Sequence, residues 1–377
     1  MIPLTLPHLI GNEWKYVKEC LDTAWISSAG SFVGRFEKAV AKYVGSSHGI
    51  ACVNGTSGLH LALCLLDVSR DDLVILPNLT FVASANAIHY TGAQPLLIDV
   101  DPNTWQLDLA LLETFLENET TTTLKGVRHK QSGQQIKAVM PVHVLGNMVE
   151  MQRLLTIAGR YNLPVIEDAS EALGSTMNDK HAGTFGEVGI FSFNGNKIIS
   201  TGGGGMIVTE NEDLARKAKH LSTQAKISSD EYIHDSVGYN YRLVNVLAAI
   251  GVAQMEQLPD YVEKKRLIDR FYRTNLQGVG DIAFQKVTPD VTPNCWLFTF
   301  QTGKMLELRS FLDKNGIQTR PFWKPMNQLS MYSDCICFGK EEQANTLYSQ
   351  CISIPSSVGL TQEQMQTVVD SIKSFYK

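Results

Sequence analysis

The stretch GTFGEVGIFSFNGNKIISTGGGGMIVT, residues 183 to 209, is the most informative part of this 377-residue sequence. It places Lys197 between a short apolar strand, GIFSFN, and four consecutive glycines, Gly202 to Gly205. Because glycine has no side chain, another group can approach this loop closely. A lysine amine that burial keeps neutral can form an imine with a carbonyl compound. The stretch therefore predicts a lysine nucleophile in a tightly built site.

Apolar, β-branched runs alternate with helical patterns along the chain. Strands are predicted at the almost continuously apolar runs DDLVILP, QPLLIDV, QIKAVMPV and NLPVIED. Helical spacing of apolar residues recurs between them, as in SGLHLALCLLDV. The alternation predicts an α/β fold with a largely parallel sheet that helices cover on both faces. In such sheets, functional groups collect at the carboxyl ends of the strands.

The remaining patterns predict the domain organisation. The polar stretch ETTTTLKGVRHKQSGQQ predicts a surface loop. LVNVLAAIGVAQMEQL is apolar nearly all round and predicts a buried helix, and the charged helical run YVEKKRLIDRFYR then leads into a second domain. We predict a large domain over residues 1–255, with an N-terminal arm over 1–30, and a small C-terminal α/β domain over 256–377.

Composition excludes several classes of function. The net charge is −5 and there is no basic block, which argues against nucleic acid as the main partner. No apolar run reaches the length of a membrane span, and no secretory signal pattern is visible, so we expect a cytoplasmic protein without a membrane partner. The seven cysteines form no C-x-x-C and the nine histidines no paired spacing, so we expect reduced thiols and no metal site.

The motif VNGTSGLHLAL predicts an anion site at a helix N-terminus. Asn54, Gly55, Thr56 and Ser57 precede the apolar face of the helix. Hydroxyls and free backbone N–H groups at a helix start match a phosphate group. The alternative is a simple N-cap, which this motif taken alone favours.

Two acidic residues end the strand of LPVIEDASEALGS. A buried carboxylate without a partner costs several kcal/mol, so Glu167 or Asp168 needs a cationic partner. A protonated ring nitrogen of a cofactor meets this need, and a salt bridge or helix cap meets it equally well. Glu171, three residues beyond Asp168, is expected near the same place.

Two further motifs complete the candidate site. Phe81, in PNLTFVASANAIHYTGA, follows a strand and precedes a helix, where a ring can stack on a planar cofactor or pack in the core. Ser192 precedes Lys197 by five residues, so both side chains can face one pocket. The glycine run lacks the G-K-[ST] that a nucleotide-phosphate loop requires.

A Tyr-x-x-x-Lys pair, Tyr261 and Lys265, has the spacing that short-chain oxidoreductases use. It lies in the charged helical run, and no dinucleotide fingerprint follows the first strand. We therefore predict that both side chains belong to a solvated helix face.

Together the motifs supply the parts that hold pyridoxal phosphate. They are an anion-binding helix start, a stacking aromatic, a buried acid, a serine and an imine-competent lysine. The acid would keep the ring nitrogen protonated, and the lysine would form the covalent link and move protons.

The order of the motifs NGTSGLHLAL, LTFVASANAI, PVHVLG, VIEDASEALGS, GTFGEVGIFSFNGNKIISTGGGG and GYNYRLVNVLAAIGVAQMEQL resembles the DegT/DnrJ/EryC1/StrS family of sugar aminotransferases. The resemblance covers nearly the whole chain. It implies an aspartate-aminotransferase-like fold of pyridoxal phosphate fold type I. Such a fold has a large domain with a mostly parallel seven-stranded sheet and a smaller C-terminal α/β domain.

Residue by residue, the resemblance implies that Lys197 is the catalytic Schiff-base lysine and that Asp168 partners the pyridine nitrogen. It implies further cofactor contacts from Gly55, Thr56, Ser57, Phe81, Glu171, Ser192 and Asn240. Of these, Asn240 would reach the neighbouring subunit's cofactor, which implies a homodimer with shared active sites. Glu171 stands where many members carry glutamine, which resembles the branch that acts on carbon 4 of the sugar.

The sequence segments WISSAGSFVGRFE and SFNGNKIISTGGGG are similar to those of the LegC-type branch. This resemblance implies amination of C4 of a UDP-linked 4-keto-6-deoxy-N-acetylhexosamine by L-glutamate, in a bacillosamine or legionaminic acid type of pathway. Sugar contacts are implied at Trp25, Ser27, Gly30, His143 and His181, with structural roles open for both histidines. The alternatives are a GDP-perosamine synthase, a carbon-3 aminotransferase on a dTDP sugar, and a non-catalytic regulator or scaffold.

Overall fold

The computed structural model describes residues 1–124, 126–228, 230–339 and 342–377. Within those ranges, the α-helices are α1 (Glu13–Asp22), α2 (Ser31–Val44), α3 (Gly55–Leu65), α4 (Ala83–Tyr90), α5 (Leu109–Glu119), α6 (Met151–Arg160), α7 (Glu212–Ser222), α8 (Asn245–Leu276), α9 (Met305–Lys314), α10 (Glu342–Gln350) and α11 (Gln362–Phe375).

The strands over the same ranges are short, and most of the longer ones are buried. They are β1 (His48–Cys52), β2 (Leu73–Pro77), β3 (Gln94–Ile98), β4 (Thr120–Thr123), β5 (Gly126–His129), β6 (Gln135–Val139), β7 (Ile166–Asp168), β8 (Thr176–Met177), β9 (Lys180–His181), β10 (Val188–Ser192), β11 (Gly205–Thr209), β12 (Ala283–Phe284), β13 (Val291–Thr292), β14 (Thr299–Gln301), β15 (Arg320–Pro321), β16 (Cys337–Phe338) and β17 (Cys351–Ser353).

The central sheet has the predicted mostly parallel arrangement. Its strands lie in the order β1, β11, β10, β7, β6, β2 and β3, with two parallel bridges, Val139 to Val165 and Val142 to Asp168, joining β6 to β7. Among these seven strands, only β11 runs antiparallel to its neighbours. The strands are mostly apolar and buried because helices cover both faces, and polar residues occur mainly near the strand ends. The α/β fold class is thereby confirmed.

The polar stretch that predicted a loop is instead a hairpin. Strands β4 and β5 pair antiparallel, from Thr120 opposite His129 to Thr123 opposite Gly126, and β5 extends the pairing to β6. Lys125 lies outside the described residues. The run of threonines explains the difference, because β-branched side chains suit a half-exposed strand as well as a loop.

Helix α8 contains both the apolar helical segment and the charged helical run, which the sequence analysis predicts as separate segments. It runs for 32 residues through Pro259, whose ring lacks the N–H that a helix interior uses. Residues up to Val262 pack in the core of the central sheet, while Ile268, Tyr272 and Leu276 pack in a second core with strands β14 and β17. The predicted division between residues 255 and 256 falls inside this helix and stays a prediction.

The prediction of a solvated face for Tyr261 and Lys265 is wrong. Both side chains are buried, at 2% relative exposure each. The Tyr261 hydroxyl donates to the carbonyl of His8 at 2.8 Å, and Lys265 Nζ donates to the carbonyls of Trp296 and Ser356. The charged neighbours on the other faces of the helix misled the sequence reading. No helix in the described ranges is long and apolar enough to cross a membrane.

Candidate active site

A cavity of about 320 Å³ opens where strands β7 and β10 end. This is the edge at which parallel sheets place their functional groups. Seven of the nine predicted cofactor contacts line it, namely Gly55, Thr56, Phe81, Asp168, Glu171, Ser192 and Lys197. The tertiary fold therefore brings together positions that span more than 140 residues of the sequence.

Lys197 projects into the cavity between two partners. Its side chain is 12% exposed, and its Nζ lies 3.4 Å from Glu171 Oε1. On another side, Nζ lies 4.0 Å from the ring centroid of Trp296. The lysine follows β10 through a turn in which its N–H donates to the Asn194 carbonyl at 3.0 Å. The amine is thus held near an acid and an aromatic face.

Glu171 is buried against the lysine. Its Oε2 accepts a hydrogen bond of 2.8 Å from the Leu145 N–H. Burial raises the pKa of Glu171 to about 7, although Lys197 and the Leu145 N–H act to lower it. Leu145 has a positive φ of 62°, which is strained for a residue with a side chain. That backbone geometry directs the N–H toward the carboxylate.

The structure distinguishes the roles of the two acids at the end of β7. Glu167 is fully buried, with His143 Nε2 at 2.9 Å from Oε2 and backbone N–H donors from Gly183, Phe185 and Gly186. Burial alone would raise the pKa of Glu167, but the hydrogen bonds, His143 first among them, lower it. Glu167 is therefore the acid with a partner inside the protein.

Asp168 is the acid that faces the cavity. Its carboxylate accepts hydrogen bonds from the Ser84 hydroxyl at 2.6 Å and the Ser170 N–H at 3.1 Å. Among the described residues it has no cationic partner within ion-pair distance. A carboxylate that is held firmly yet lacks a counter-charge can receive a cationic group from a ligand.

The start of α3 has a capped N-terminus beside the cavity. Asn54 Oδ1 accepts the Ser57 N–H at 2.8 Å, so Asn54 provides the N-cap. The hydroxyls of Thr56 and Ser192 both border the cavity, and neither bonds to another group of the described chain. The N-cap is therefore observed at Asn54, and the hydroxyls of Thr56 and Ser192 are available for an anion. Ser57 does not reach the cavity wall, because it lies one helical step beyond Thr56.

Phe81 resolves a second ambiguity. Its ring is 53% exposed instead of buried in the core, and it borders the cavity. An exposed aromatic ring beside a cavity offers a flat face for stacking.

The predicted sugar contacts do not reach the cavity of this chain. The backbone of the N-terminal arm docks on α8, where Asn245 bonds to the carbonyls of Trp25 and Ser27 and the N–H of Phe32. Gly30 packs so tightly there that an added Cβ would lie 2.3 Å from Asn245 Cγ.

Both candidate histidines have structural contacts instead. His143 has no exposed side-chain surface, and its ring bonds to Glu167 and accepts the Val149 N–H. In His181, Nε2 accepts the Gly174 N–H at 2.8 Å and Nδ1 donates to the Ala182 carbonyl. Burial is also the main reason that the pKa of His181 falls to about 4. These contacts favour the structural roles that the sequence left open for both histidines.

Several cavity residues escaped the sequence analysis. They are Ser84, Ser170, Asn194, Asn196, Trp296 and Trp323. Ser84 and Ser170 stood inside quoted motifs, and their small polar side chains could have been connected with Asp168. Trp296 and Trp323 come from the C-terminal third of the chain and had no local signal, because an aromatic in a strand pattern normally predicts core.

These residues fit pyridoxal phosphate. The hydroxyls of Thr56 and Ser192 suit its phosphate, the ring of Phe81 suits its plane, and the uncompensated Asp168 suits its protonated ring nitrogen. The amine of Lys197 would suit its aldehyde. No group of three or more potential metal ligands occurs in the described residues.

The comparisons with known proteins agree with this fit. The DegT/DnrJ/EryC1/StrS aminotransferase family matches residues 7–373. This chain belongs to that family. It is 39% identical to GDP-perosamine synthase of Escherichia coli O157:H7, over 100% of this chain and 98% of the relative. It is 38% identical to GDP-perosamine synthase of Caulobacter vibrioides, over 98% of this chain and 97% of that relative.

A solved family member has the same fold. The aminotransferase from Brucella abortus superposes with a TM-score of 0.89 at 25% identity, covering 97% of this chain and 95% of its own. The protein is therefore a pyridoxal phosphate-dependent sugar aminotransferase, as the sequence predicts. The family assignment favours this enzyme over the non-catalytic scaffold that the sequence left open.

Proposed function

We propose that the enzyme transfers the amino group of L-glutamate to C4 of a nucleotide-linked 4-keto-6-deoxyhexose. Two relatives that are 38% and 39% identical over nearly the whole chain are named GDP-perosamine synthase. Perosamine is a 4-amino-4,6-dideoxyhexose, so a GDP-linked 4-keto-6-deoxyhexose is our first candidate. The UDP-linked N-acetylhexosamine that the LegC-type resemblance implies is the second candidate.

The observation that carries the proposal is the position of Lys197. It shares a cavity with one acid that contacts its amine and with a second acid that has no counter-charge. Lys197 Nζ lies 3.4 Å from Glu171, and Asp168 borders the same cavity without a counter-charge. When bound, pyridoxal phosphate supplies an electron-withdrawing ring beside the transferred nitrogen. Asp168 would keep that ring protonated, and Lys197 would move the proton between the two carbon atoms of the transfer.

The other cavity residues have supporting roles in this proposal. Thr56 and Ser192 would hold the phosphate with the free hydroxyls at the start of α3 and the end of β10. Phe81 would stack on the cofactor ring. Glu171 would contact the phenolic oxygen, and its buried carboxyl can take up or release a proton near pH 7.

We also propose a homodimer in which Asn240 reaches the partner's phosphate. Asn240 is exposed in the single chain. Twelve of the twenty exposed large apolar residues in the described chain lie in two short stretches, residues 1–26 and 227–237. Such a concentration of exposed apolar surface favours burial against another protein surface.

The substrate can be tested with purified enzyme and ¹⁵N-labelled L-glutamate. GDP-, UDP- and dTDP-linked keto sugars would be offered separately, and the products examined by mass spectrometry and NMR. We expect ¹⁵N on C4 of the GDP-linked hexose. Preferential labelling of the UDP-linked N-acetylhexosamine would select the second candidate, and label on C3 of a dTDP sugar would contradict the proposed C4 chemistry.

A further inference from the structure

The indole of Trp296 forms a wall of the cavity that family membership alone does not explain. Lys197 Nζ lies 4.0 Å from its ring centroid, and Glu171 Oε1 lies 3.4 Å from the same nitrogen. The two partners differ in chemistry. The carboxylate can accept a proton, whereas the indole face attracts an ammonium ion without having a site that takes its proton.

Hydrogen bonds hold Trp296 in this orientation. The side chain is buried, at 3% exposure. Its Nε1–H donates to the Asn196 carbonyl at 2.6 Å, one residue before Lys197. Its backbone N–H donates to Asn294 Oδ1 at 3.0 Å, and its carbonyl accepts from Lys265 Nζ at 2.7 Å. All polar groups of this residue are therefore bonded, and the ring cannot turn away without breaking a buried hydrogen bond.

Both partners of Lys197 share one anchor. The fully buried Asn294 donates its Nδ2–H groups to the carbonyls of Glu171 at 2.7 Å and Leu173 at 2.9 Å. Between Asn294 and Trp296, Cys295 has a positive φ of 55°. A strained conformation of a non-glycine residue persists only where its surroundings over-determine it. The segment 294–296 thus fixes the indole relative to the acid.

We propose that Trp296 is a positioning residue, whose indole face holds the protonated Nζ of Lys197 beside Glu171 between successive proton transfers. Lys265, which the reaction does not otherwise use, supports this arrangement by anchoring the Trp296 carbonyl. The proposal rests on the catalytic role proposed for Lys197. The contact itself can be tested independently of that role.

The contact predicts a ring-current effect on Lys197. The enzyme would be converted with glutamate to the aminated form of its cofactor, in which Lys197 carries no covalent link. Reductive methylation with ¹³C-formaldehyde keeps the lysine charge, and Lys197→Arg identifies the signal. We expect upfield methyl resonances that move downfield in Trp296→Leu. Trp323→Leu, which removes the other C-terminal tryptophan of the cavity, should leave them in place. Resonances that do not respond to Trp296→Leu overturn the contact.

Kinetics separates positioning from a structural role. Trp296→Phe keeps an aromatic face, so we expect its kcat to stay within about threefold of wild type. Trp296→Leu should lower kcat about tenfold, with the KM for glutamate nearly unchanged. The isotope effect with α-deuterated glutamate should rise in the Leu variant, because proton transfer becomes slower. An equal loss in both variants, or an unchanged isotope effect, overturns the proposal. Full activity of Lys197→Ala would instead refute the proposed lysine role while leaving the NMR contact intact.

Discussion

At the level of single residues, two lysines of low exposure differ in their surroundings. Lys197 Nζ faces the cavity and has an acid and an aromatic ring beside it. Lys265 Nζ faces two backbone carbonyls in the core, and burial lowers the pKa of Lys265 to about 7. Neither carbonyl can react, so burial and low pKa alone do not make a lysine catalytic. Lys197 differs from Lys265 because its amine has access to a cavity.

We expect Lys197→Ala to lower transamination at least about 10³-fold, because no other amine in the described cavity can move the proton. The melting temperature should change little. Lys180→Ala, at an exposed lysine, is the matched control and should retain full activity. Turnover by the Lys197→Ala variant close to the wild-type rate would exclude Lys197 as the catalytic lysine.

Asp168→Asn should slow the half-reaction with glutamate by about 10²-fold or more in stopped-flow absorbance, because an amide cannot stabilise a protonated ring nitrogen. Ser84→Ala removes one hydrogen bond to the same carboxylate and should cost about tenfold. If both variants lose the same small factor, Asp168 acts through position and its charge is not required.

The buried Glu171 should make the free energy of unfolding depend on pH. Burial raises its pKa from 4.5 to about 7, so folding favours the neutral acid and the stability that it contributes falls as pH rises from about 4.5 to about 7. Glu171→Gln cannot ionise, so its free energy of unfolding relative to wild type should rise between pH 5 and pH 8. Urea denaturation of the cofactor-free chain measures this difference. The exposed Glu263→Gln variant should show no such trend.

At the scale of the element, the glycine run allows β11 to lie directly against the start of α3. A Cβ on Gly205 would lie 2.5 Å from the Asn54 carbonyl oxygen and 2.8 Å from the Gly55 nitrogen. Gly203, two residues earlier, has only the Val53 carbonyl oxygen within 4 Å, at 3.9 Å. One glycine is therefore required by helix–strand packing, whereas the other has room for a methyl group.

Gly205→Ala should separate the start of α3 from β11 and disturb the anion site that the two elements form. We expect a lower melting temperature and an affinity for pyridoxal phosphate that falls at least about tenfold, because backbone atoms cannot move away as a side chain can. Gly203→Ala should change the melting temperature by no more than a few degrees. Calorimetry and cofactor titration compare the pair. Equal tolerance of both substitutions would contradict the packing argument.

The sequence predicted most elements of the central sheet because buried parallel strands leave a continuous apolar signature. Strands β2, β3, β6 and β7 all lie within predicted runs, and β10 begins one residue before the predicted run GIFSFN. The hairpin of β4 and β5 escaped because its half-exposed residues lack that signature. The continuity of α8 escaped because Pro259 and a change from apolar to charged composition both favour an ending that tertiary packing on two cores overrides.

At the scale of the whole molecule, the proposed dimer makes a prediction about mixed subunits. Lys197→Ala and Asn240→Asp should each be inactive alone, the second because a carboxylate repels the phosphate. In a hybrid dimer, one site would receive an intact Lys197 from one chain and an intact Asn240 from the other. Mixing equal amounts after dissociation should therefore restore about a quarter of wild-type activity. No recovery, with hybrids verified by native mass spectrometry, would show that Asn240 serves its own chain.

The fold class, the cofactor chemistry and the positions of the main candidate residues could be predicted from the amino-acid sequence. These follow from local patterns, since strand runs, helix starts and the residues that end strands are all encoded within a few positions. The motif of Glu167 and Asp168 predicts that one of the two acids needs a cationic partner, but it does not identify which acid.

The contacts between distant segments could not be predicted in this way and became visible in the folded chain. Packing places His143 against the Glu167 carboxylate, and it leaves the Asp168 carboxylate facing the cavity. It buried Lys265, although its neighbours in sequence are charged, and it brought Trp296 from nearly 100 residues away onto Lys197. The physical reason is that burial and contact depend on how helices and sheet pack together, and that packing has no period along the chain.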